Sequence, residues 1–355
     1  MKQASAKTFR WFFINLLIVQ AVQYVQAMER GETCIIHPEI IGKCILAREC
    51  SAPRSDNKSE GLLKQGFCGK YQGEPMACCA VSNMKTTLPE RPVCGVQISD
   101  RLYGGQLTEL DDDPWTALIE YQKPDGSFGF HCGGSLINEY YVLTAAHCIQ
   151  AIPPGWKVHR VRLGEWDLES IHDCEFPGGL CNEPPIDVDI EKIIVHHGYE
   201  DRNGTLINDI ALIRFKRQVN FTETVRPICL PLSPSIRGAH LDGVRGYVSG
   251  WGNTQTGTAH EKKLRAGMII KGYGECESFY KQQGVELMPT HMCAGKINLL
   301  SKCSGDSGGS LMRGAAGTWY LVGVDSFGVE KCGSSEMPRV YTNVSKFIDW
   351  IGENI

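Results

Sequence analysis

The chain has 355 residues, a formal net charge of −4 at neutral pH and sixteen cysteines. Its length exceeds one average domain, so two folded units joined by a linker are expected. The acidic balance and the lack of basic blocks argue against nucleic acid as a partner. A high and even cysteine count favours an oxidising compartment outside the cell.

Residues 1–27 are predicted to be a signal peptide. Lys2, Lys7 and Arg10 precede the apolar run WFFINLLIVQAV, and VQA at residues 25–27 offers a cleavage site. A membrane anchor is disfavoured because the run is shorter than the roughly 20 residues that span a bilayer. We therefore expect secretion, and four sequons could then carry N-linked sugars, at Asn57, Asn203, Asn220 and Asn343.

Six cysteines crowd residues 28–80, a segment with little hydrophobic patterning. A unit this small buries too little apolar surface to fold on a core alone, so disulfides are expected to hold it together. Six cysteines allow fifteen pairings, although the neighbours Cys78 and Cys79 would need a strained ring to bond each other. A zinc module is disfavoured because paired C-x-x-C or histidine ligands are lacking.

The remaining sequence divides into a linker and a β-rich region. Residues 81–101 are polar and carry prolines, which predicts an exposed linker. From residue 102, short β-rich runs alternate with Gly, Pro and Asn clusters, a pattern typical of an all-β barrel or sandwich. The runs are WTALIEYQ, YVLTAA, EKIIVHH, DIALIRF, RGYVSGW, AGMIIK and WYLVGVDSF. Only the C-terminal VSKFIDWIGENI has helical spacing, with Val344, Phe347, Ile348 and Ile351 on one face.

Three motifs supply the groups that activate a serine nucleophile. His147 lies in LTAAHC, Asp209 in NDIAL and Ser307 in GDSGG. A serine hydroxyl is a poor nucleophile at neutral pH and needs a histidine base that a carboxylate holds in place. Glycines beside Ser307 let backbone N–H groups turn toward a developing oxyanion. The three motifs therefore predict nucleophilic catalysis by Ser307.

The order of these motifs, together with CGGSLI, RPICLP, SGWG and PRVYTNVSKFIDWI, resembles the chymotrypsin family of serine proteases from residue 102 to the C-terminus. With the cysteine cluster in front, the chain is similar to the clip-domain serine proteases of arthropods. The resemblance implies an all-β protease domain of two six-stranded barrels with a C-terminal helix, preceded by a small disulfide-rich clip domain. The expected boundaries are 1–27 for the signal peptide, 28–80 for the clip domain, 81–101 for the linker and 102–355 for the protease domain.

The resemblance also assigns catalytic roles. Ser307 would attack the scissile carbonyl, His147 would take and return the proton, and Asp209 would fix the imidazole tautomer. The N–H groups of Gly305 and Ser307 would form the oxyanion hole. A catalytically inactive relative is the alternative, which the presence of all three side chains opposes.

An activation site is implied in SDRLYGG, with cleavage between Arg101 and Leu102. The new ammonium group of Leu102 would pair with Asp306, and a charge pair formed in one state only can act as a latch. Leu-Tyr departs from the Ile-Val that is usual in the family. An ordinary arginine in a linker is the alternative interpretation.

The resemblance implies a disulfide partner for every cysteine, and the absence of a leftover thiol supports the assignment. The implied pairs are Cys34–Cys78, Cys44–Cys68, Cys50–Cys79, Cys94–Cys229, Cys132–Cys148, Cys174–Cys181, Cys276–Cys293 and Cys303–Cys332.

Two departures from the family affect the pocket beside the nucleophile. Ser301 stands where trypsin-like members carry an aspartate, so the main physical cause of a preference for Lys or Arg is missing. Ser326 and Gly328 match the strand that binds the substrate backbone, and Gly328 leaves the mouth of the pocket open. Arg339 replaces a glycine of the opposite wall.

Three substrate preferences remain open for this pocket. Arg339 could pair with an acidic substrate residue or fill the space. Turned to solvent, it would leave a slot for apolar residues. A basic residue facing Arg339 without a counter-charge would cost on the order of several kcal/mol, although most active clip proteases are trypsin-like.

A calcium site is predicted in LGEWDLESIHDC, where Glu165, Asp167 and Asp173 lie on one loop closed by Cys174. Hard carboxylate oxygens at close spacing suit Ca²⁺, and the matching loop binds calcium in several relatives. A solvated acidic loop is the alternative. No cofactor is expected for catalysis itself, so calcium would have a structural role.

The expected function is that of a secreted zymogen in a haemolymph protease cascade, such as melanisation or Toll signalling. Its expected partners are downstream zymogens or prophenoloxidase, an upstream trypsin-like activating protease and a serpin inhibitor, with no nucleic acid and no membrane span. The alternative is a weakly active or non-catalytic cofactor that assembles cascade partners. The departures at Ser301 and Arg339 favour that alternative, and the complete triad opposes it.

Overall fold

The computed structural model describes residues 33–37, 40–47, 67–71, 73–80, 88–97, 106–174, 179, 181–252, 261–296, 307–328 and 338–355. The chain divides into two compact units, residues 1–85 and 86–355. The predicted signal peptide lies outside the described residues. Within the described part of the chain, no helix has both the length and the apolar character needed to cross a bilayer.

The N-terminal unit is a small antiparallel sheet. Its strands are β1 (Thr33–His37), β2 (Ile40–Leu46), β3 (Phe67–Tyr71) and β4 (Glu74–Ala80), in the spatial order β1-β2-β4-β3. The buried core consists of Cys44, Leu46, Cys68 and Met76, and the disulfide Cys44–Cys68 joins β2 to β3. With so few apolar side chains buried, the covalent link is an important part of what holds this unit together.

The second unit contains two barrels, and the first is built from six antiparallel strands. They are β6 (Thr116–Gln122), β7 (Phe128–Leu136), β8 (Tyr141–Thr144), β9 (Lys157–Leu163), β10 (Ile186–Val195) and β13 (Ala211–Phe215). They close in the order β10-β13-β8-β7-β6-β9. A hairpin of β11 (Glu200–Arg202) and β12 (Thr205–Ile207) precedes β13. Ile119, Tyr121, Leu143 and Phe215 are fully buried inside.

The second barrel is built from β14 (Arg245–Gly250), β15 (Leu264–Lys271), β16 (His291–Lys296), β17 (Ser310–Ala315), β18 (Thr318–Phe327) and β19 (Arg339–Asn343). These strands follow the order β14-β17-β18-β19-β16-β15, and pairing of β14 with β15 closes the barrel. The short strand β5 (Gln106–Leu107) adds to β15. The two six-stranded barrels confirm the predicted all-β fold class.

Helices lie between and after the barrel strands. They are α1 (His147–Gln150), α2 (Pro234–Arg237), α3 (Tyr273–Gln282) and α4 (Ile348–Asn354). The predicted C-terminal helix is present, but its first turn is a 3₁₀ turn at Val344–Lys346. The side chain of Asn343 accepts a hydrogen bond from Ser345 N at 3.1 Å and so caps this turn. Val344 and Phe347, which were predicted on one face of this helix, are buried but precede the α-helix.

The predicted linker is exposed only in part. Glu90–Val93 face solvent, but Cys94 is fully buried and forms a disulfide with Cys229. The next residue, Gly95, donates its N–H to Pro227 O and accepts from Trp319 N, each at 2.9 Å. Residues 94–95 are therefore packed on the protease unit, which the polar composition of the linker does not reveal.

Candidate active site

His147 is delivered to the site by a buried strand and a short helix. All four residues of β8 are buried, as are Ala145 and Ala146, and His147 begins α1. The small alanine side chains allow the backbone to turn closely against the barrel. The disulfide Cys132–Cys148 then ties α1 to β7, which fixes the residue next to His147.

Asp209 is delivered by a tight turn before β13. Asn208 adopts a left-handed conformation with φ of 50°, which asparagine tolerates better than most residues. Its Nδ2 donates to Gly198 O at 2.8 Å and secures the turn. The two carboxylate oxygens of Asp209 then accept from the backbone N and from Nδ1 of His147, each at 2.8 Å.

The second barrel holds Asp209 from the other side. Ser326 Oγ donates to Asp209 Oδ2 at 2.5 Å, and Thr342 Oγ1 donates to the Asp209 carbonyl oxygen at 2.7 Å. The Asp209 side chain is fully buried, so these donors replace the water that a free carboxylate would bind. Ser326 was predicted to bind the substrate backbone, and its contact with Asp209 is an additional finding. Thr342 was not singled out from the sequence.

The Asp209 carboxylate lies where water is largely excluded. Burial, and then the negative charge of Asp209, raises the pKa of Tyr199 to about 12. Burial also lowers the pKa of His291, whose Nε2 lies 2.9 Å from Leu206 O. Hydrogen bonds between ionised and polar groups are stronger in such a medium than in water. The His147–Asp209 contact is therefore well placed to orient the imidazole.

Ser307 lies in the turn before β17, against the helix that carries His147. Its carbonyl oxygen accepts from Gly133 N at 2.8 Å. Cys148 Sγ lies 3.5 Å from this same oxygen and 3.7 Å from Nε2 of His147. Among the described residues, the Ser307 hydroxyl makes no hydrogen bond to the imidazole, a contact that often tightens only when substrate binds.

The residue after Ser307 must be a glycine. Gly308 has a φ of +78°, and a Cβ added there would lie 2.7 Å from Gly133 O and 3.1 Å from Cys148 Sγ. Both the backbone conformation and the space exclude a side chain. The GDSGG motif thus lets the nucleophile loop approach the first barrel.

Arg339 is directed inward and pairs with Asp325, a residue outside the predicted site. Its guanidinium contacts the buried carboxylate of Asp325, one residue before Ser326. The alternative in which Arg339 turns to solvent is therefore not the observed conformation. The sequence does contain one sign of this pair, which is the single aspartate in the otherwise apolar run LVGVDSF. A charge buried in such a strand needs a partner. Ser301, Gly305 and Asp306 lie outside the described residues.

Five of the implied disulfides are present in the described residues: Cys44–Cys68, Cys94–Cys229, Cys132–Cys148, Cys174–Cys181 and Cys276–Cys293. Cys78 is also disulfide-bonded. The predicted pairs Cys34–Cys78, Cys50–Cys79 and Cys303–Cys332 each include a side chain that the structure does not describe, and Arg101 and Leu102 lie outside the described residues.

The predicted glycosylation sites differ in exposure. Asn203 and Asn220 are exposed, whereas Asn343 is half-buried and caps the C-terminal 3₁₀ turn. Asn57 lies outside the described residues. Sugar attachment at these positions stays a prediction.

The carboxylates of the predicted calcium loop already have donors in the protein. Glu165 accepts from Trp166 N at 2.9 Å and from Arg162 at 3.2 Å. Asp173 accepts from Trp166 N at 3.0 Å and from Ser170 Oγ at 2.5 Å. Burial, and then the charge of Asp173, raises the pKa of Glu165.

Asp167, the third predicted ligand, accepts from Glu169 N at 3.2 Å and lies 3.6 Å from Lys262 Nζ. A Ca²⁺ ion would therefore have to displace or share donors that the protein supplies to all three carboxylates. Calcium binding stays a prediction.

We propose a calorimetric test of this calcium site. If Ca²⁺ binds the folded protein only, we expect the melting temperature to be higher in millimolar CaCl₂ than in EDTA, by mass action. The Asp173→Asn variant should lose the difference, whereas Asp125→Asn, in an exposed turn elsewhere, should keep it. Equal melting temperatures of the unaltered protein in both buffers would remove the proposal.

Comparisons with known proteins agree with this geometry. A family model described as Trypsin matches residues 102–351. The chain is 51% identical over 355 residues to CLIP domain-containing serine protease B4 of Anopheles gambiae, covering 96% of this chain and 98% of that protein. It is 34% identical to Melanization protease 1 of Drosophila melanogaster, covering 97% and 98%. The crystal structure of the Drosophila Grass clip serine protease of the Toll pathway matches with a TM-score of 0.65 and 28% identity, covering 92% and 98%.

Two barrels that bring a hydrogen-bonded His–Asp pair beside a serine define a serine-type endopeptidase, and the chain belongs to the trypsin family. Within that family it is an arthropod clip-domain serine protease, since the relatives so named align with nearly its whole length.

Proposed function

We propose that the protein is a secreted zymogen that acts in an extracellular protease cascade of innate immunity, either melanisation or Toll signalling, in haemolymph. The observation that carries the catalytic part is the hydrogen-bonded His147–Asp209 pair next to the Ser307 loop. The relatives named for melanisation and for the Toll pathway support the cascade part. The proposed partners are downstream zymogens or prophenoloxidase, an upstream trypsin-like activator and a serpin.

The proposed mechanism follows from the protonation of His147. Because Nδ1 of His147 faces Asp209 at 2.8 Å, the neutral ring carries its proton on Nδ1 and leaves Nε2 as the acceptor. Nε2 takes the proton of Ser307 as the oxygen bonds to the scissile carbonyl carbon, and then gives it to the leaving amine. Water repeats the sequence and releases the acyl group. The N–H groups of Gly305 and Ser307 are proposed to bind the oxyanion.

Activation is proposed to follow cleavage after Arg101, with the new Leu102 ammonium pairing with Asp306. The chain is fixed on both sides of this position. Gln97 hydrogen-bonds to Asp112 and, at 2.9 Å, to Arg265, while β5 begins at Gln106 and pairs with β15. The anchors support the proposal because a cut between them would release an end close to the protease unit.

The Arg101→Gln variant tests activation and the proposed function together. We expect a trypsin-like protease to convert the unaltered zymogen into a form that a fluorophosphonate probe labels at Ser307. Arg101→Gln should stay uncut at that bond and unlabelled. Arg91→Gln, in the same linker, is the matched control and should activate normally, since Arg91 lies at the exposed part of the linker.

Two outcomes would contradict the proposal. Labelling of protease-treated Arg101→Gln to the same extent as the treated unaltered enzyme would show that this bond does not control activity. Correct cleavage without labelling would favour the alternative of a non-catalytic cofactor that assembles cascade partners.

A further inference from the structure

A buried ion pair lies directly behind the nucleophile loop. Asp325 accepts a backbone hydrogen bond from Gly308 N and donates its own N–H to Gly309 O, each at 2.9 Å. The next residue, Ser326, holds the carboxylate of Asp209. Asp325 is thus attached on one side to the residues that follow Ser307 and on the other to the residue that supports the His–Asp pair.

The partner of Asp325 comes from the neighbouring strand. Arg339 lies at the start of β19, which pairs with β18, and its Nη2 and Nε lie 2.6 and 3.1 Å from the two carboxylate oxygens. The side chains are only 15% and 2% exposed. Burial alone would lower the pKa of Arg339, but the charge and hydrogen bonds of Asp325 outweigh it and raise the pKa.

The stem of Arg339 also lies against Gly328, which directly follows the end of β18. A Cβ added to Gly328 would lie 3.3 Å from Arg339 Cγ and 3.4 Å from its Cα. The arginine therefore runs along Gly328 on its way to Asp325. Its position, its direction and its partner are all fixed inside the wall of the site rather than free to follow a substrate.

A substrate side chain in this pocket would meet Asp325 and Arg339, whose opposite charges already form an ion pair. A lysine or arginine would approach the Arg339 cation, while the carboxylate of Asp325 is already paired with that cation. An aspartate or glutamate would have to compete with Asp325 for the guanidinium, in a site where both anions are poorly solvated. An uncharged side chain leaves the pair intact and loses no such solvation.

We propose that the Asp325–Arg339 pair makes this pocket wall electrically neutral and restricts the residue before the scissile bond to an uncharged side chain. The inference rests on the proposed protease function and names its substrate class. Of the acidic, apolar and basic substrate preferences that the sequence leaves open, the proposal selects the uncharged one. The reason is that Arg339 is neutralised by Asp325 and not by a substrate carboxylate.

The test is a cleavage profile of the activated enzyme on a peptide library varied at that residue. The unaltered enzyme should favour uncharged residues over both Arg/Lys and Asp/Glu. Asp325→Asn leaves Arg339 without its partner charge and should raise kcat/KM for Asp or Glu by about tenfold or more relative to uncharged residues. Arg339→Gln leaves the carboxylate and should give the same gain for Lys or Arg.

The double variant Asp325→Asn/Arg339→Gln is the matched control. It removes both charges with side chains of similar shape, and it should keep the uncharged preference even where a single variant is too unstable to assay. A preference of the unaltered enzyme for Arg/Lys or for Asp/Glu overturns the inference. So does a double variant that acquires a charged preference, or a pair of folded single variants with the unaltered profile.

Probe labelling separates this result from failure of the proposed function. A fluorophosphonate reacts with an activated serine and carries no amino-acid side chain that must fit the specificity pocket. Labelling at Ser307 with a charged-residue profile would overturn the specificity inference alone. Absence of labelling in the cleaved enzyme would overturn the protease function on which the inference rests.

Discussion

Replacement of Ser307 by alanine is expected to lower kcat/KM of the activated enzyme by about a million-fold. The variant loses the oxygen that attacks the carbonyl, while the His147–Asp209 pair and the barrel contacts of the loop remain. Residual hydrolysis would then come from substrate binding and the remaining donors alone. The measurement is hydrolysis of the best library peptide, with the fluorophosphonate probe as a second readout.

Ser310→Ala is the matched control because Ser310 lies three residues further on, at the start of β17. Among described residues, its buried hydroxyl hydrogen-bonds only to Met312 Sδ. We expect it to keep both hydrolysis and labelling. Loss of activity in both variants would indicate damage to the strand rather than loss of a nucleophile. Full activity in Ser307→Ala would exclude Ser307 as the nucleophile.

The second large effect is expected for Asp209→Asn, with a loss of about four orders of magnitude in kcat. An asparagine amide can present an N–H to Nδ1 of His147, which would move the ring proton to Nε2. The imidazole could then no longer accept the Ser307 proton. The hydrogen bond from Thr342 to the carbonyl oxygen of residue 209 should preserve the position of the backbone, so the free energy of unfolding should change less than the rate.

Asp189→Asn is the control for this variant because Asp189 is 70% exposed and its ion pair with Lys216 is at the surface. It should have nearly the kcat of the unaltered enzyme. Unfolding in urea distinguishes a tautomer effect from a folding defect. An Asp209→Asn enzyme within tenfold of the unaltered rate would contradict the assigned role of Asp209.

Much of the fold follows from local sequence patterns. Runs such as WTALIEYQ and DIALIRF combine β-branched and apolar residues between turn residues, and each corresponds to a barrel strand, β6 and β13. The motifs around His147, Asp209 and Ser307 also mark three chain segments that the fold brings together. These features are visible because each is contained within a few consecutive residues.

The Asp325–Arg339 pair could not be predicted in the same way. It depends on the register of β18 against β19, where Asp325 lies opposite Tyr341 and a shift occurs before Phe327 lies opposite Val340. Such an irregularity leaves no mark in the alternation of residue types. The Cys94–Cys229 bond joins residues 135 positions apart, so the family resemblance implied it and no local pattern did.

The Cys94–Cys229 bridge would determine what remains attached if the chain is cut after Arg101. The disulfide joins the chain before Arg101 to the chain after it. Cleavage of the Arg101–Leu102 peptide bond would therefore produce two polypeptides that stay covalently linked. The N-terminal sheet would then travel with every active enzyme at a fixed one-to-one ratio. Any surface or partner that the N-terminal sheet binds would then determine where proteolysis happens. Dilution could not separate this sheet from the protease unit.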